Sequence, residues 1–193
     1  MTFRMMRFWM ELMQSKKETD MNKKNTNIKR YIISIILFAV LIVLDQFTKV
    51  WAASSLQDGP LALIDGVFEF YYLENHGAAF SMLQNAQVFF IIITVVFLVV
   101  GTYFIIKVPS DKHYLALRGS VLFIMAGALG NLIDRIVFGY VRDFLYFKLI
   151  DFPVFNVADI YVSLAVIFLA ILILFYYKND DFDFLRKKSD KNA

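Results

Sequence analysis

Four long apolar runs constrain this chain more than any other feature of its sequence. Each has roughly 20 residues, the length that an α-helix needs to cross the hydrocarbon core of a bilayer. Because lipid offers no hydrogen bonds to the backbone, each run is expected to be helical. The sequence therefore predicts a bundle of four transmembrane helices, at about residues 31–53, 86–106, 119–138 and 157–177.

The composition agrees with a membrane protein. Hydrophobic residues make up 59% of the 193 residues, whereas soluble domains have about 45–50%. The chain has no cysteine, which excludes disulfides, thiolate metal sites and a cysteine nucleophile.

The basic residues predict how the helices are oriented. Lys and Arg are absent between Lys49 and Lys107, and they cluster before the first run, between the second and third runs, and after the fourth. The positive-inside rule then places both termini in the cytoplasm and the first and third loops outside. The third loop fits this rule less well than the first, because it contains Arg142 and Lys148. This clustering indicates membrane topology and not a nucleic-acid-binding surface.

The chain divides into three parts by composition. Residues 1–30 form an N-terminal cytoplasmic extension that we expect to be partly interfacial, with a polar stretch at 16–30 that we expect to be disordered. Residues 31–177 form the membrane domain. Residues 178–193 form a charged cytoplasmic tail, which we expect to be solvated and mobile.

The first loop is too long for a simple connection. Residues 61–73 are rich in Val, Phe, Tyr and Ile, and Asp65-Gly66 is a turn signal within them. This pattern predicts a β-hairpin on the outer membrane face. An irregular interfacial loop anchored by its aromatic residues is the alternative.

Three of the four runs carry polar residues at the ends that the topology places near the outer interface. Ionisable groups in membrane helices cost free energy and usually mark function. Their common depth predicts one polar site that opens toward the outer leaflet. The residues are Asp45, Gln46 and Lys49, then Asn131, Asp134 and Arg135, and finally Asn156 and Asp159.

Some of these charges have evident partners. Asp45 and Lys49 are spaced i,i+4 and are expected to form a structural ion pair on one helix face. Asp134 and Arg135 are adjacent, so they point in different directions. The sequence leaves open whether these two are structural or position a substrate.

Asp159 is different, because no Lys or Arg lies between Lys148 and Lys178. A second carboxylate beside it would let the two acids share one proton, as in aspartic proteases. Such a pair activates water for attack on a peptide carbonyl and then protonates the leaving amine. Asp143, in the third loop, is the best second acid, and Asp151 is a weaker candidate.

Other functions fit the sequence less well. A serine peptidase would need a Ser–His pair, but the only histidines, His76 and His113, fall in loops predicted on opposite sides of the membrane. The zinc-protease motif His-Glu-x-x-His and the Gly-x-Gly-Asp motif of presenilin-type proteases are both absent. A transporter or assembly factor would carry polar groups through the whole membrane, and here they cluster at one depth.

Five segments, in order, resemble the motifs of the lipoprotein signal peptidase (signal peptidase II) family. Together they extend over most of the predicted membrane domain, which makes the resemblance specific. They are 45–49, similar to DQxxK; 75–81, similar to NxGAAFS; 127–135, similar to GxxGNxxDR; 141–144, similar to the segment with the first catalytic aspartate; and 155–159, similar to FNxAD.

This resemblance implies a fold and an activity. It implies an all-α membrane protein of four helices with a small outward-facing β-sheet. It also implies an aspartic endopeptidase that removes the signal peptide from prolipoproteins, cutting just before the diacylglyceryl-modified cysteine. No metal or organic cofactor is expected. The implied setting is the bacterial cytoplasmic membrane, with membrane lipids and prolipoproteins as partners and the chain as a monomer.

The resemblance also implies residue roles. Asp143 and Asp159 would be the catalytic dyad. Substrate positioning or support of the dyad would fall to Asn75, Asn131, Arg135 and Asn156, and further support to Asp45 and Lys49. One departure is Arg142, which stands where the family often has an apolar residue. We expect its side chain to point to water or lipid headgroups.

Overall fold

The structure is a computed structural model that describes residues 3–77 and 87–185. Within these two ranges, the structure has four α-helices, three β-strands and three short 3-10 helices. The α-helices are α1 (Phe3–Ser55), α2 (Gln87–Lys107), α3 (Leu115–Val137) and α4 (Val157–Phe175). The strands are β1 (Leu61–Ile64), β2 (Phe68–Asn75) and β3 (Val141–Tyr146), and the 3-10 helices are Lys112–Tyr114, Lys148–Ile150 and Asn179–Leu185.

In the described part of the chain, four helical segments are long and apolar enough to span a membrane, which confirms the predicted bundle. They are Ile28–Ser55, Gln87–Lys107, Lys112–Val137 and Val157–Tyr176. Most apolar side chains of α2 and α4 are exposed on the protein surface. An apolar surface of this extent is expected to be covered by lipid in a membrane protein.

Helix α3 is the most buried of the spans and packs against both α2 and α4. Two glycines permit close approach on this helix. A Cβ atom at Gly127 would collide with the backbone oxygen of Ala158 on α4, and one at Gly130 would collide with the carboxylate of Asp45 on α1. Small residues of this kind let membrane helices approach at their backbones.

The three strands form one antiparallel sheet in the order β1-β2-β3. The hairpin β1–β2 confirms the prediction from the first loop, and Gly66 in its turn adopts the left-handed φ of 71° that favours glycine. Strand β3 comes from the third loop and was not predicted. It pairs with β2 so that Asp143 lies opposite Leu73 and Val141 lies opposite Asn75. The sheet therefore joins the first and third loops.

Aromatic packing ties the sheet to the end of α1. Trp51 stands edge-on to Phe70 of β2, with ring centroids 5.1 Å apart, and also contacts Phe144 of β3. The buried residues Ala52 and Leu56 belong to the same apolar cluster. Burial of these rings stabilises the sheet at this end of the bundle.

The N-terminal part differs from the expectation. Helix α1 already begins at Phe3, and the chain divides into two units, the first of which ends at Leu37. The stretch 16–30, expected to be disordered, is helical. The physical reason is that the chain has no glycine or proline before Gly59, so nothing in this stretch breaks a helix. The division at residue 30 stays a prediction.

The C-terminal prediction was wrong in part. Residues 179–185 form a 3-10 helix, and Phe182 and Phe184 pack against an apolar cluster that contains Val108, Leu117 and Leu172. The imidazole of His113 lies 3.0 Å from the carboxylate of Asp181. The two rings thus lie against the protein, Asp181 binds His113, and Asp183 is exposed. The rest of the expected tail, 186–193, lies outside the described residues.

Candidate active site

The first turn of α4 places Asp159. Asn156 caps the helix: its side-chain oxygen accepts a hydrogen bond from the Asp159 backbone N–H (3.1 Å), and the Asp159 carboxylate accepts one from the Asn156 backbone N–H (3.0 Å). This reciprocal arrangement is a capping box. The residues that begin the helix therefore also fix the orientation of the Asp159 carboxylate.

Strand β3 places Asp143, whose side chain is only 1% exposed. One carboxylate oxygen accepts a hydrogen bond from the Asn75 amide (2.8 Å), and the other accepts one from the Asn156 amide (2.6 Å). The pairing of β2 with β3 brings Asn75 beside this carboxylate. Both oxygens of Asp143 are thus held by neutral amides.

Asn131 and Asn156 connect the two acids. The Asn131 amide donates to Asp159 (2.9 Å), and its side-chain oxygen accepts from the Asn156 amide (3.1 Å) and from the Lys49 ammonium (2.8 Å). The structure therefore brings α1, α3, α4 and the first and third loops together around one pair of carboxylates.

The environment of Asp143 disfavours its charge. Burial, and next the negative charge of Asp159, raise the pKa of Asp143 to about 7. Hydrogen bonds from Asn75 and Asn156 and the charge of Lys49 act in the opposite direction. The pair can hold a single proton near neutral pH, which is the state that a general acid and a general base require.

Asp45 and Lys49 form the predicted ion pair, with 2.9 Å between the ammonium nitrogen and the carboxylate. Both side chains are fully buried. The other oxygen of Asp45 accepts a hydrogen bond from the Ala158 backbone N–H at the start of α4 (3.0 Å). This pair therefore attaches α1 to α4 beside the two acids, as well as satisfying its own charges.

Arg142 corrects the sequence-based expectation, because its side chain points neither to water nor to headgroups. It is 4% exposed and donates two side-chain hydrogen bonds to Asp134, of 2.7 and 3.2 Å. A third reaches the side-chain oxygen of Gln46 (2.8 Å). The reason is the strand: successive side chains alternate between faces, so Arg142 points away from Asp143.

Asp134 and Arg135 point in different directions, as expected, and have different partners. Asp134 binds Arg142, whereas Arg135 lines the cavity beside the two acids. The Arg135 guanidinium lies 5.0 Å from the ring centroid of Phe90. Its Nε is buried and has no hydrogen-bond partner within the described part of the chain. A buried donor of this kind is available to an acceptor that enters the cavity.

The cavity has a volume of about 580 Å³, a size typical of ligand sites. Its polar wall contains Asn75, Asn131, Arg135, Asp143 and Asp159. Its other wall is mainly apolar and comes from the segment before α4 and from the first turns of that helix, with Val141, Phe152, Pro153, Val154, Phe155, Ile160, Ser163 and Leu164.

Not every acid predicted as a candidate lies at the cavity. Asp151, the weaker candidate acid, does not line it, is exposed, and accepts a hydrogen bond from the Tyr146 hydroxyl. Residues 78–81 of the NxGAAFS-like segment lie outside the described residues. Among residues 3–77 and 87–185, no cluster of His, Asp and Glu has the arrangement of a metal site.

Comparisons with known proteins identify the family to which this chain is similar. Residues 37–175 match the family described as signal peptidase (SPase) II. A lipoprotein signal peptidase of Clostridioides difficile is 42% identical over 76% of this chain and 95% of its own length. Another, of Caldanaerobacter subterraneus, is 46% identical over 74% of this chain and 97% of its own length.

Solved structures show the same fold. A bacterial membrane enzyme determined by the in meso method at 2.3 Å resolution has a TM-score of 0.67 and 33% identity, over 74% of this chain and 87% of its own. A second such structure, at 1.9 Å, has a TM-score of 0.66 and 32% identity, over 75% and 94% of the two chains.

Proposed function

The chain belongs to the signal peptidase II family of membrane peptidases, and from this membership we propose that it removes the signal peptide from diacylglyceryl-modified prolipoproteins. The cut falls just before the lipid-modified cysteine. The observation that carries the proposal is the pair of buried carboxylates, Asp143 and Asp159, held by asparagine amides at the wall of one cavity.

The two acids act as a dyad that carries one proton. The ionised carboxylate takes a proton from a water molecule, and the water oxygen attacks the carbonyl carbon of the scissile amide. The protonated acid gives its proton to the carbonyl oxygen. The intermediate then loses its C–N bond as the nitrogen takes the proton that the first acid removed from water, and a hydroxyl proton of the intermediate returns to the second acid. The products are a new carboxyl group on the signal peptide and a free amine on the cysteine.

The amides and Arg135 hold the reactants in place. Asn75, Asn131 and Asn156 fix the orientations of the carboxylates. The unpartnered Nε of Arg135 is available to an acceptor group of the substrate. Positioning of this kind lowers the entropic part of the barrier.

The membrane setting supports this substrate. We infer that the chain lies in the bacterial cytoplasmic membrane as a monomer, with both termini in the cytoplasm and the cavity near the outer leaflet. The distribution of Lys and Arg supports that orientation. A lipid-anchored cysteine then holds its scissile bond at the depth of the dyad while its acyl chains remain in lipid.

The experiment is a cleavage assay on the purified protein in detergent. The substrate is a diacylglyceryl-modified prolipoprotein, and its mass shift is followed by gel or mass spectrometry. Asp143→Asn and Asp159→Asn are expected to lower turnover by at least about 10²-fold, since each removes a proton-transfer group. Asp151→Asn is the matched control, an acid of the same loop that does not line the cavity.

Thermal melts establish that each variant is folded. If wild type and Asp151→Asn cleave the substrate and the two dyad variants do not, the result supports both the peptidase function and the dyad. If folded wild type leaves the substrate intact while a reference signal peptidase cleaves it, the proposed function is wrong. If a dyad variant cleaves as fast as wild type, the assignment of that acid is wrong.

A further inference from the structure

Arg142 is the neighbour of Asp143 on β3, and it has no place in the reaction described above. Its side chain is buried on the opposite face of the strand from the dyad. Burial of an arginine is costly unless its charge and its donors are matched. Its partners therefore indicate what this residue does.

The side chains that accept hydrogen bonds from Arg142 lie on α1 and α3, two helices that also contribute contacts around the dyad. One oxygen of Asp134 on α3 accepts hydrogen bonds from both the Arg142 backbone N–H (3.0 Å) and its Nε (3.2 Å), and the other accepts one from a terminal nitrogen (2.7 Å). That terminal nitrogen also donates to Gln46 on α1. The guanidinium stacks 4.4 Å from the ring centroid of Phe138. The first residues of β3 are thus attached to both helices.

The attachment is rigid because of its geometry. A planar guanidinium bound through two nitrogens to one carboxylate has little rotational freedom. The backbone N–H of the same residue bonds to the same carboxylate. Asp143 is the next residue, so its backbone position depends on these bonds.

The contact between Arg142 and Asp134 also determines what Lys49 can bind. The Lys49 ammonium lies 2.9 Å from Asp45, 2.8 Å from the side-chain oxygen of Asn131, and 3.5 Å from Asp134. Two buried acids are therefore matched by two buried bases. With Arg142 on Asp134, Lys49 can remain on Asn131, which in turn donates to Asp159.

We propose that Arg142 is a positioning residue for the peptidase reaction: by binding Asp134 and Gln46, it fixes Asp143 through the backbone of β3 and keeps Lys49 on Asn131. The inference rests on the proposed function. It assigns a role to a side chain that touches neither substrate nor reacting atoms. The substitution Arg142→Gln removes the two-nitrogen contact with Asp134 and leaves Lys49, at 3.5 Å, to serve both Asp45 and Asp134.

Removing the positive charge at position 142 is also expected to change the pH dependence of the activity. The charged or titratable groups next to Arg142 are Asp134 on α3 and Tyr72 and Glu74 on β2, and Asp134 in turn is close to the Lys49–Asp45 pair on α1. Loss of the positive charge leaves a net negative charge beside the dyad. This raises the pKa of Asp143 further, so the fall in activity as the pH rises is expected to occur at a higher pH.

The test is steady-state kinetics of the full chain in detergent on the diacylglyceryl-modified prolipoprotein, as a function of pH. For Arg142→Gln we expect kcat to fall by roughly 10- to 100-fold with KM changed by less than about threefold, because misplacement affects the reaction more than binding. The fall in activity at high pH should occur at a higher pH than in wild type. Arg142→Lys, which keeps the charge and loses the fork, should keep the wild-type pH profile and recover part of kcat.

The matched control is Lys148→Gln, which removes an exposed lysine that pairs with the buried Glu69 close to the other end of β3 (3.1 Å) and should leave the kcat of the folded protein and its pH profile unchanged. A double-mutant cycle with Asp134→Asn tests the route. If Arg142 acts through Asp134, the two substitutions are non-additive.

The outcomes separate the two claims. Wild-type cleavage with unchanged kcat in folded Arg142→Gln overturns the positioning role and leaves the proposed function intact. Additive effects in the cycle, or a loss of kcat that only follows the loss of folded protein in thermal melts, also overturn it. Failure of wild type itself overturns the proposed function instead.

Discussion

Asp143 is held in a state that costs the folded protein stability. Its carboxylate is buried beside a second acid, and within the described part of the chain its hydrogen-bond donors are the neutral amides of Asn75 and Asn156. Strain of this kind is expected at catalytic sites, where function and stability oppose one another. A substitution that removes the charge should therefore affect stability in a pH-dependent way.

The sign follows from the pKa of Asp143, which is about 7 in the folded protein and about 3.9 in an unfolded chain. Between these values the folded state binds more protons, so its stability falls as the pH rises from about 4 through 7. We expect the Tm of wild type to fall between pH 5 and pH 8, and the Tm of Asp143→Asn to fall clearly less. Thermal melts in detergent at the two pH values measure this.

Asp151→Asn serves as the control, because it removes an exposed acid from the same loop. It should retain the wild-type difference between pH 5 and pH 8. Equal pH dependence of Tm in wild type and Asp143→Asn would contradict the raised pKa of Asp143.

At the residue scale, the sequence predicted which acids meet but not every contact they make. The common depth of Asp45, Asn131 and Asp159 followed from the topology argument, since helix ends at one interface must lie together. The direction of Arg142 did not follow, because it depends on the face that a strand turns to the helices. Val141–Tyr146 contains strand-favouring residues, but no turn signal links it to a strand next to it in sequence.

At the scale of elements, β3 shows why one part of the fold was missed. Its partner β2 lies far away in sequence, and β3 pairs with no strand closer to it. Local patterns predicted the β1–β2 hairpin because a turn signal joins its strands. A long-range pairing has no such signal, so Val141–Tyr146 could only be called a loop.

The C-terminal 3-10 helix Asn179–Leu185 makes a prediction at the same scale. Phe182 and Phe184 are half-buried against the cluster that contains Val108 and Leu117. Removing residues 179–193 exposes this cluster and is expected to cost about 1–2 kcal/mol for each ring, lowering the Tm by several degrees. Thermal melts of truncated chains in detergent measure the loss.

A chain that ends at Leu185 is the matched control, because it keeps every described contact of this helix. Its Tm should equal that of the full chain. Equal Tm values for the two truncated chains would show that the aromatic contacts contribute nothing to stability.

At the scale of the whole molecule, the absence of cysteine from the native chain makes the proposed orientation simple to test. Single-cysteine variants Asp58→Cys and Lys112→Cys place one thiol in each of two exposed loops. The thiol at 58 should react with a membrane-impermeant reagent in spheroplasts or protoplasts, whose cytoplasmic membrane is intact. The thiol at 112 should react only after the membrane is permeabilised.

Each variant must first pass the cleavage assay, so that labelling reports on active protein. Labelling of position 112 in intact cells, with position 58 protected, would invert the proposed orientation and place the cavity at the cytoplasmic leaflet.

The sheet has a consequence for how this enzyme could be divided. The part before the α2–α3 connection supplies β1, β2 and Asn75, while the part after it supplies β3 and both acids. A break between Pro109 and Ser110 would therefore yield two fragments, neither of which holds a complete site. Fused to two interacting proteins in one membrane, such fragments would regain turnover only on meeting, and cleavage would become a reporter of encounters within the bilayer.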